Sequence, residues 1–188
     1  LRSIEGIAPL TSVAFTASRF LLPKEELESG KSDLAIAGFF GELPPGFYRQ
    51  PVFSDKFVFA CRAAHPRLER KKRLTIDDLT NENHLIIAPG GDLSGQVDRE
   101  LGKLGRKRRI AVGLSSFLEA GITLTETDCI LVGPSKMFRS LEKSIELRVF
   151  PSPLPMRSLQ IVQVWHERVR RDPHHKWLRE EIKRILGD

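Results

Sequence analysis

Short apolar runs alternate with helical stretches along this chain. Two of the runs, 34–37 and 129–132, are continuously apolar, which is typical of short buried strands. Near the start, Val13, Phe15 and Ala17 alternate with polar or small residues, which predicts a further strand. Other strands are predicted at 47–52, 56–62, 84–88, 109–114, 147–150 and 159–165. Because helical stretches separate most of these strands, the order predicts an α/β fold with largely parallel strands.

End signals predict the helices between these strands. A helix near the start ends at Gly30, since glycine suits the left-handed position after a helix. Thr75, followed three residues later by Asp78, resembles the start of a capping box. The last helix has the clearest start, because Asp172 can cap it and Pro173 suits its first position. Its predicted apolar face comprises Trp177, Leu178, Ile182, Ile185 and Leu186.

Two proline-containing connectors, 64–67 and 151–155, divide the chain. If both are crossings between lobes, lobe I comprises residues 1–66 and 153–188, and lobe II is the insert 67–152. That arrangement predicts a crevice between the lobes, where the carboxyl ends of strands and the N-termini of helices face each other. Crevices of this kind are where small molecules bind.

Composition narrows the class of protein. Of the 188 residues, 40% are hydrophobic and 29% are charged, which fits a folded chain with a core. The balance of 30 Lys and Arg against 24 Asp and Glu gives a formal charge of +6. We expect a cytosolic protein, because no apolar window reaches the roughly 18 residues that span a bilayer, and residues 1–6 lack signal-peptide features. Cys61 and Cys129 each lie in an apolar run, which favours buried, reduced thiols over a redox switch.

Five sequence fragments, taken in order, resemble a single family. They are LESGKSDLAI at 27–36, FVFACRAAHP at 57–66, LTIDDL at 74–79, PGG at 89–91, and VWHER at 164–168 with DPHHKWLR at 172–179. Together they resemble the effector-binding, or substrate-binding, domain of LysR-type transcriptional regulators. The similarity is to the branch that includes regulators of nodulation and of aromatic degradation, and it extends over essentially the whole chain.

The resemblance implies a fold of two Rossmann-like lobes joined by two crossover strands, similar to type 2 periplasmic binding proteins. It implies that a DNA-binding winged helix-turn-helix precedes these 188 residues and that lobe I is N-terminally incomplete here. It also implies allosteric regulation of transcription, with a small aromatic or carboxylate-bearing effector in the crevice changing the relative angle of the lobes. The expected assembly is a cytoplasmic homodimer or tetramer that contacts DNA only through the missing domain.

In this family the effector is held at helix N-termini, where unpaired backbone donors favour a carboxylate or a phenolate. The first candidate place comprises Gly91, Asp92 and Ser94, where a Gly-rich turn opens a helix and lets backbone donors approach a ligand. The alternative is a plain strand-to-helix turn in which Asp92 or Ser94 is the N-cap.

The second candidate place comprises Ser115, Ser116 and Phe117, which follow the strand predicted at 109–114. The two hydroxyls can cap the next helix or bind a ligand oxygen, and Phe117 can cover an aromatic ring. Several aromatic-responsive members of the family carry His near the position of Ser116, so the serine argues against salicylate-like recognition.

The third candidate place is the end of the strand at 34–37, where Gly38, Phe39 and Phe40 follow. Two adjacent extended residues point to opposite sides, so one Phe is predicted in the core and the other in the crevice. Gly133 occupies the matching position in lobe II.

Other functions are less favoured by the sequence. The basic runs at 62–73, 106–109 and 168–171 are predicted to be solvated faces rather than a nucleic-acid surface, because aromatic residues make up only 7% of the chain and no reading helix is visible. Weak attraction to DNA held nearby by the missing domain stays open as the alternative. The sequence contains no Gly-x-Ser-x-Gly or His-Glu-x-x-His motif and no paired cysteines, so we predict neither enzymatic activity nor a metal or cofactor. A stand-alone type 2 solute-binding protein is the alternative, since its fold would be the same.

Overall fold

The computed structural model describes residues 2–16, 22–38 and 41–187. The chain divides into two compact units. Unit 1 comprises Leu1–Ser54 and Gln160–Asp188, and unit 2 comprises Asp55–Leu159. The chain therefore passes between the units twice, and only unit 1 is built from two separate segments.

Helices and strands alternate through most of the chain, as the sequence predicts for an α/β fold. In chain order they are α1 (Arg2–Ile7), α2 (Lys24–Ser29), β1 (Ala35–Gly38), β2 (Phe47–Asp55), β3 (Phe57–Arg62), α3 (Ile76–Asn81), β4 (Asn83–Ile87), α4 (Gln96–Lys103), β5 (Arg109–Leu114), α5 (Phe117–Thr125), β6 (Cys129–Pro134), α6 (Ser135–Leu141), β7 (Leu147–Pro151), β8 (Leu159–His166) and α7 (Pro173–Leu186).

Unit 1 contains a three-stranded sheet in the order β1-β8-β2. β1 runs antiparallel to β8, with Ala35 opposite Val164. The core under this sheet is formed by Leu27, Phe47, Val162 and Val164. Since β8 comes from the second segment of unit 1, the sheet and its core need both segments.

The predicted end of α2 is confirmed, because Gly30 adopts the left-handed conformation with φ of 83°. That position also lies against an arginine, since a Cβ on Gly30 would be 3.2 Å from the Arg168 guanidinium. Arg168 donates from Nε to the Leu27 carbonyl at 2.8 Å and from Nη2 to the Ser32 carbonyl at 3.0 Å. Arg168 belongs to the basic run 168–171, and its hydrogen bonds make it part of the unit 1 fold.

The strand predicted from Val13, Phe15 and Ala17 is wrong for the part that the structure describes. Residues 11–16 have no regular secondary structure, and Ala17 lies outside the described residues. Phe15 is 77% exposed. Alternation of apolar and polar residues is not sufficient for a strand. The backbone N–H and C=O groups of a strand also need a neighbouring strand with which to pair.

The start of α7 is confirmed, with Pro173 in its first turn and Asp172 Oδ1 accepting the His175 N–H at 2.9 Å. Its predicted apolar face is only partly buried, and Leu186 is 38% exposed. The buried side chains of the helix are His175 and Arg179 instead.

Arg179 and His175 replace the expected apolar contacts with polar and aromatic ones. The Arg179 guanidinium lies 4.3 Å from the centre of the Trp165 ring and donates to His175 Nδ1. His175 Nε2 donates to the Asp33 carbonyl at 2.8 Å. Burial, opposed by this bond to Asp33, lowers the pKa of His175, so the imidazole is neutral at pH 7.

Unit 2 contains a five-stranded sheet in the order β5-β4-β6-β3-β7. β4 is parallel to both β5 and β6, whereas β3 is antiparallel to β6 and β7. The prediction of parallel strands is therefore correct for three neighbouring strands. The sheet as a whole is mixed.

Helices cover both faces of the unit 2 sheet, and each face has its own core. We call the side covered by α3 and α4 face A; its buried core comprises Phe59, Cys61, Leu68, Leu74, Leu79, Val97, Leu101, Ile130, Phe150 and Leu154. We call the side covered by α5 and α6 face B; its buried core comprises Ala60, Leu85, Ala120, Leu124, Cys129, Leu131 and Phe138. Consecutive residues of β3 and β6 contribute to opposite faces, as expected for strands buried on both sides.

The boundaries of the two units differ from those that the proline connectors predict. β3 pairs with β6 and β7 on its two edges, so residues 57–62 belong to unit 2 rather than to lobe I. Leu154 packs in the face A core and belongs to unit 2 as well. The connectors at 64–67 and 151–155 thus lie inside unit 2. The unit boundary is set by which strands pair, and not by the position of prolines.

Both cysteines are buried and free, as predicted. Burial raises the pKa of the Cys61 thiol to about 11, so the reactive thiolate is scarce at neutral pH. None of the helices in the described part of the chain is both long enough and apolar enough to cross a membrane.

Candidate functional site

Most of the predicted site residues lie at one edge of the unit 2 sheet. Because β4, β5 and β6 are parallel neighbours, their carboxyl ends meet at the same edge. The loops that follow these strands lead to α4, α5 and α6. Ala88, the first residue after β4, donates its N–H to the carbonyl of Leu114, the last residue of β5, at 2.8 Å. This edge is the position at which open α/β sheets bind ligands.

The β4–α4 loop holds the first predicted group, Gly91, Asp92 and Ser94, all exposed. Gly91 has φ of 81°, which favours glycine at this turn. Asp92 Oδ1 accepts the Ser94 N–H at 2.9 Å and the Ser94 hydroxyl at 2.8 Å. These bonds lower the pKa of Asp92, so the loop carries a negative charge at neutral pH.

The N-cap of α4 is Gly95 rather than Asp92 or Ser94. The Gly95 N–H donates to Asp98 Oδ2 at 2.8 Å. Asp98 is in turn held by Arg108, from Nε to Oδ1 at 2.9 Å and from Nη2 to Oδ2 at 2.8 Å. Burial alone would raise the pKa of Asp98, but the Arg108 guanidinium and the backbone donors lower it below its usual value.

Arg108 connects this loop to a buried histidine. Its side chain is 1% exposed, and its Nη1 lies 3.3 Å from His84 Nδ1. His84 Nε2 donates to the Leu79 carbonyl at 2.8 Å. Burial, followed by the nearby Arg108 charge, lowers the pKa of His84 to about 4, so the imidazole is neutral at pH 7. A neutral His84 can accept a hydrogen bond from Arg108, which fixes the α4 start through Asp98.

The β5–α5 turn holds the second predicted group. Ser116 is the N-cap of α5, and its hydroxyl accepts the Glu119 N–H at 3.3 Å. Glu119 Oε2 accepts the Ser115 N–H at 3.0 Å, the Ser116 N–H at 3.2 Å and the Ser115 hydroxyl at 2.7 Å. These bonds, that of the Ser115 hydroxyl first, lower the pKa of Glu119. The donors predicted for a ligand are therefore occupied by a carboxylate of the chain itself.

Phe117 and Gly133 are brought together at this edge. A Cβ on Gly133 would lie 3.1 Å from Phe117 Cε1 and 3.0 Å from Met137 Cε. Glycine at 133 thus allows the half-buried Phe117 ring to approach β6. The prediction that Phe117 covers an aromatic ligand stays a prediction.

The start of α6 is also closed by a carboxylate. Asp55 is 6% exposed, and its Oδ2 accepts the Lys136 N–H at 2.9 Å. Its Oδ1 accepts the Lys56 N–H at 2.7 Å and the Ser135 hydroxyl at 2.6 Å. At all three helix starts of this edge, then, an acidic side chain takes backbone donors that an anionic ligand would need.

The third predicted group lies in unit 1. Gly38 is the last residue of β1, is half-buried and pairs with Ile161 of β8. Phe39 and Phe40 lie outside the described residues. The contribution of this group to a site stays a prediction.

Sequence reasoning missed Glu119 and Asp98, although a signal for both was present. Glu119 follows Ser116 by three residues, which is the capping-box spacing. Asp98 follows Gly95 by the same interval. Leu93 was missed too, and a Cβ on Gly113 would lie 2.6 Å from Leu93 Cδ2, so glycine at 113 lets the first loop lie over β5. In the described part of the chain, no three His, Cys, Asp or Glu side chains are grouped to hold a metal ion.

The chain is similar to known regulatory proteins. SyrM 1, an HTH-type transcriptional regulator of Sinorhizobium fredii (strain NBRC 101917 / NGR234), is 36% identical over 163 residues, covering 86% of this chain and 47% of that protein. NagR, an HTH-type transcriptional activator of a Ralstonia species, is 31% identical over 165 residues, covering 88% of this chain and 54% of that protein. The chain thus spans about half the length of the curated relatives it matches.

A solved structure and a family profile agree with these relatives. The crystal structure of the regulatory domain of MexT, a transcriptional activator in Pseudomonas aeruginosa, matches with a TM-score of 0.84 at 28% identity, covering 98% of this chain and 88% of that one. The profile of the LysR substrate binding domain matches residues 9–187, which is nearly the whole chain. The predicted family and its type 2 periplasmic-binding-protein-like fold are therefore confirmed, and this chain belongs to the LysR substrate-binding domain family.

Proposed function

We propose that this chain is the regulatory part of a LysR-type transcriptional regulator, where binding of a small effector changes the DNA binding of the whole protein. The observation that carries the proposal is the family match over residues 9–187. A coupling of about 1 to 3 kcal/mol between effector and DNA is sufficient for such regulation. Relatives named as transcriptional regulators favour this role over that of a stand-alone solute-binding protein.

The proposed protein acts without catalysis, in the cytoplasm, as a homodimer or tetramer. Its contact with operator DNA belongs to a helix-turn-helix of the kind that the relatives' names specify.

The proposed effector is a small aromatic or carboxylate-bearing molecule at the carboxyl edge of β4, β5 and β6. The unit 2 residues proposed to contact it are Gly91, Asp92, Ser94, Ser115, Ser116, Phe117 and Gly133. A carboxylate at the start of α5 would have to displace Glu119 from the Ser115 and Ser116 donors. A hydroxyl can instead join the existing bonds, so we propose that the effector presents a hydroxyl or a ring here.

Thermal-shift screening of phenolic and aliphatic acids, followed by calorimetric titration of each compound that binds, tests this proposal. Ser115→Ala should weaken the binding of such a compound about threefold to tenfold, because one hydrogen bond is lost. Ser144→Ala is the matched control, since Ser144 is exposed and follows α6 rather than starting a helix. Equal affinities of the two variants would remove Ser115 from the site. A regulator whose DNA binding is unaffected by a saturating, bound compound would contradict the function itself.

A further inference from the structure

The charged residues of unit 2 are distributed unevenly between the two faces of its sheet. Residues 66–109, which include α3 and α4 on face A, contain eleven Lys or Arg and seven Asp or Glu. Residues 115–146, which include α5 and α6 on face B, contain three Lys or Arg and five Asp or Glu. We call residues 66–109 the face A layer; its net charge is +4. We call residues 115–146 the face B layer; its net charge is −2. The sheet separates a basic layer from an acidic one.

Most acidic groups of the face A layer are already paired with a cation of the same layer. Arg67 donates from Nε to the buried Glu82 carboxylate at 2.6 Å, and Arg108 holds Asp98 as described above. The remaining pairs are Lys71 with Asp78, Arg106 with Asp77, and Lys103 with Glu100. Five of the seven acidic groups are thus neutralised within the layer.

Six cations of the layer are exposed and have no carboxylate partner among the residues that the structure describes. They are Arg70, Lys72, Arg73, Arg99, Lys107 and Arg109. Arg109 donates only to the Asn83 amide oxygen, at 3.2 Å. Two acidic groups, Glu69 and Asp92, are likewise outside any ion pair, and Asp92 is bound to Ser94. The excess positive charge is therefore carried by side chains that are free to meet another molecule.

The first turn of α3 brings the two basic segments together. Lys71 is bound to Asp78 and Arg106 to Asp77, which are neighbours in that turn. Lys72 and Arg73 follow Lys71 along the chain, and Lys107 follows Arg106. We define the basic surface by its six unpaired cations, of which Arg73 and Lys107 flank α3.

The basic run of unit 1 offers no comparable surface. Arg168 is bound to the Leu27 and Ser32 carbonyls. Arg170 donates to the Tyr48 hydroxyl at 2.8 Å and lies 4.4 Å from the centre of its ring. Among the described residues of that run, only Arg171 is exposed without a hydrogen bond or an ion pair. The concentration of unpaired charge therefore belongs to face A.

We propose that this basic surface binds the phosphodiester backbone of duplex DNA without reading its sequence. Segments 66–73 and 99–109 contain no aromatic residue, whereas single-stranded nucleic acids are held by stacking on aromatic rings and protein partners are anchored by aromatic side chains. Lys and Arg without such anchors suit phosphate groups, which are contacted through charge alone. The relatives are named as helix-turn-helix transcriptional regulators, and the helix-turn-helix is a motif that binds duplex DNA. This binding needs no effector and is separate from the proposed function.

The test measures binding of the 188-residue chain to two fluorescent 20-base-pair duplexes of unrelated sequence, between about 50 and 200 mM salt. We expect weak binding, with a Kd of about 1 to 100 μM, and a slope of about −3 to −4 for log affinity against log salt. Both duplexes should give the same values. Arg73→Glu combined with Lys107→Glu should lower the affinity at least about tenfold and reduce the slope by about two.

The matched control is Arg139→Glu combined with Lys143→Glu, which makes the same charge change on exposed residues of the face B layer. We expect this control to change the affinity less than about threefold, since distant charges are screened. Equal losses in the two double variants would overturn the proposal, because net charge alone would then explain binding. Tighter binding of single-stranded DNA or polyglutamate than of duplex would overturn it as well. Circular-dichroism melting curves that match the parent chain establish that both variants are folded.

Discussion

Each face of the unit 2 sheet is covered by two helices, but the side chains buried on the two faces differ in polarity. Face A encloses polar groups, since His84 contacts Phe59 of its core and Glu82 and His65 are also buried. His65 Nδ1 accepts the Leu68 N–H at 3.3 Å, and Nε2 donates to the Asp128 carbonyl at 3.0 Å. The core of face B consists of apolar residues and Cys129.

This difference shows that the same sheet can be stabilised in two ways. Buried polar groups need partners in fixed directions, so they make face A sensitive to protonation and to the loss of one partner. Apolar contacts do not depend on fixed directions. The stability of face B therefore depends mainly on the volume of its buried side chains. Two acidic side chains near face B, Glu119 and Asp55, lie at helix starts, where they occupy donors of the candidate site.

The largest expected effect is a loss of volume on face B. Leu124→Ala should lower the free energy of unfolding by about 4 kcal/mol, because the side chain is fully buried among apolar neighbours. Urea denaturation measures it. Leu118→Ala on the same helix is the control; Leu118 is 68% exposed, so the loss should be below about 0.5 kcal/mol. Similar losses for the two variants would mean that α5 does not pack on the sheet as described.

A smaller effect is expected from acid, and it belongs to face A. Since the pKa of His84 is about 4 in the folded chain and about 6.5 in the unfolded chain, only the unfolded state gains this proton as the pH falls below 6.5. The free energy of unfolding should therefore decrease, by about 2 kcal/mol between pH 7 and pH 4.5 from His84 alone. In His84→Gln this part of the decrease should be absent.

Urea denaturation of the parent chain and His84→Gln at several pH values measures the slope, which is independent of any constant loss in the variant. His174→Gln is the control, because the His174 side chain is fully exposed. His175, whose pKa is also lowered, contributes equally to all three proteins. Parallel slopes for the parent chain and His84→Gln would contradict the assignment of acid sensitivity to face A.

The smallest effect is expected at the helix start on face B. Ser116→Ala removes the N-cap of α5 and should lower the free energy of unfolding by about 1 kcal/mol. Ser140→Ala, at an exposed position inside α6, serves as the comparison in thermal melts. If the two substitutions lowered the melting temperature equally, Ser116 would not be acting as a cap.

Much of the local structure could be predicted from the sequence because its signals are local. β5 was predicted with the bounds it has. Thr75 and Asp172 cap the starts of α3 and α7, and Gly30 follows the end of α2, as expected. The unit boundaries could not be predicted in this way. They depend on the pairing of β3 with β6 and β7, which joins residues distant in the chain.

For the candidate site, the sequence could predict that three of the loops share an edge, but not which side chains occupy their backbone donors. The loops after β4, β5 and β6 share one edge because parallel strands require it. The occupation of their donors by Glu119, Asp98 and Asp55 was not predicted. Two of these residues had a local spacing signal, but Asp55 precedes α6 by about eighty residues and only the fold brings it there.

The strand order β1-β8-β2 also sets the sequence of events during synthesis on the ribosome. β1 and β2 emerge first, but each pairs with β8, which is translated about a hundred residues later. At roughly 5 to 20 residues per second, these two strands wait about 5 to 20 s for their partner. Unit 2 is one uninterrupted segment and is complete before that moment. The insert is therefore able to fold while the unit that surrounds it in the chain is still unpaired.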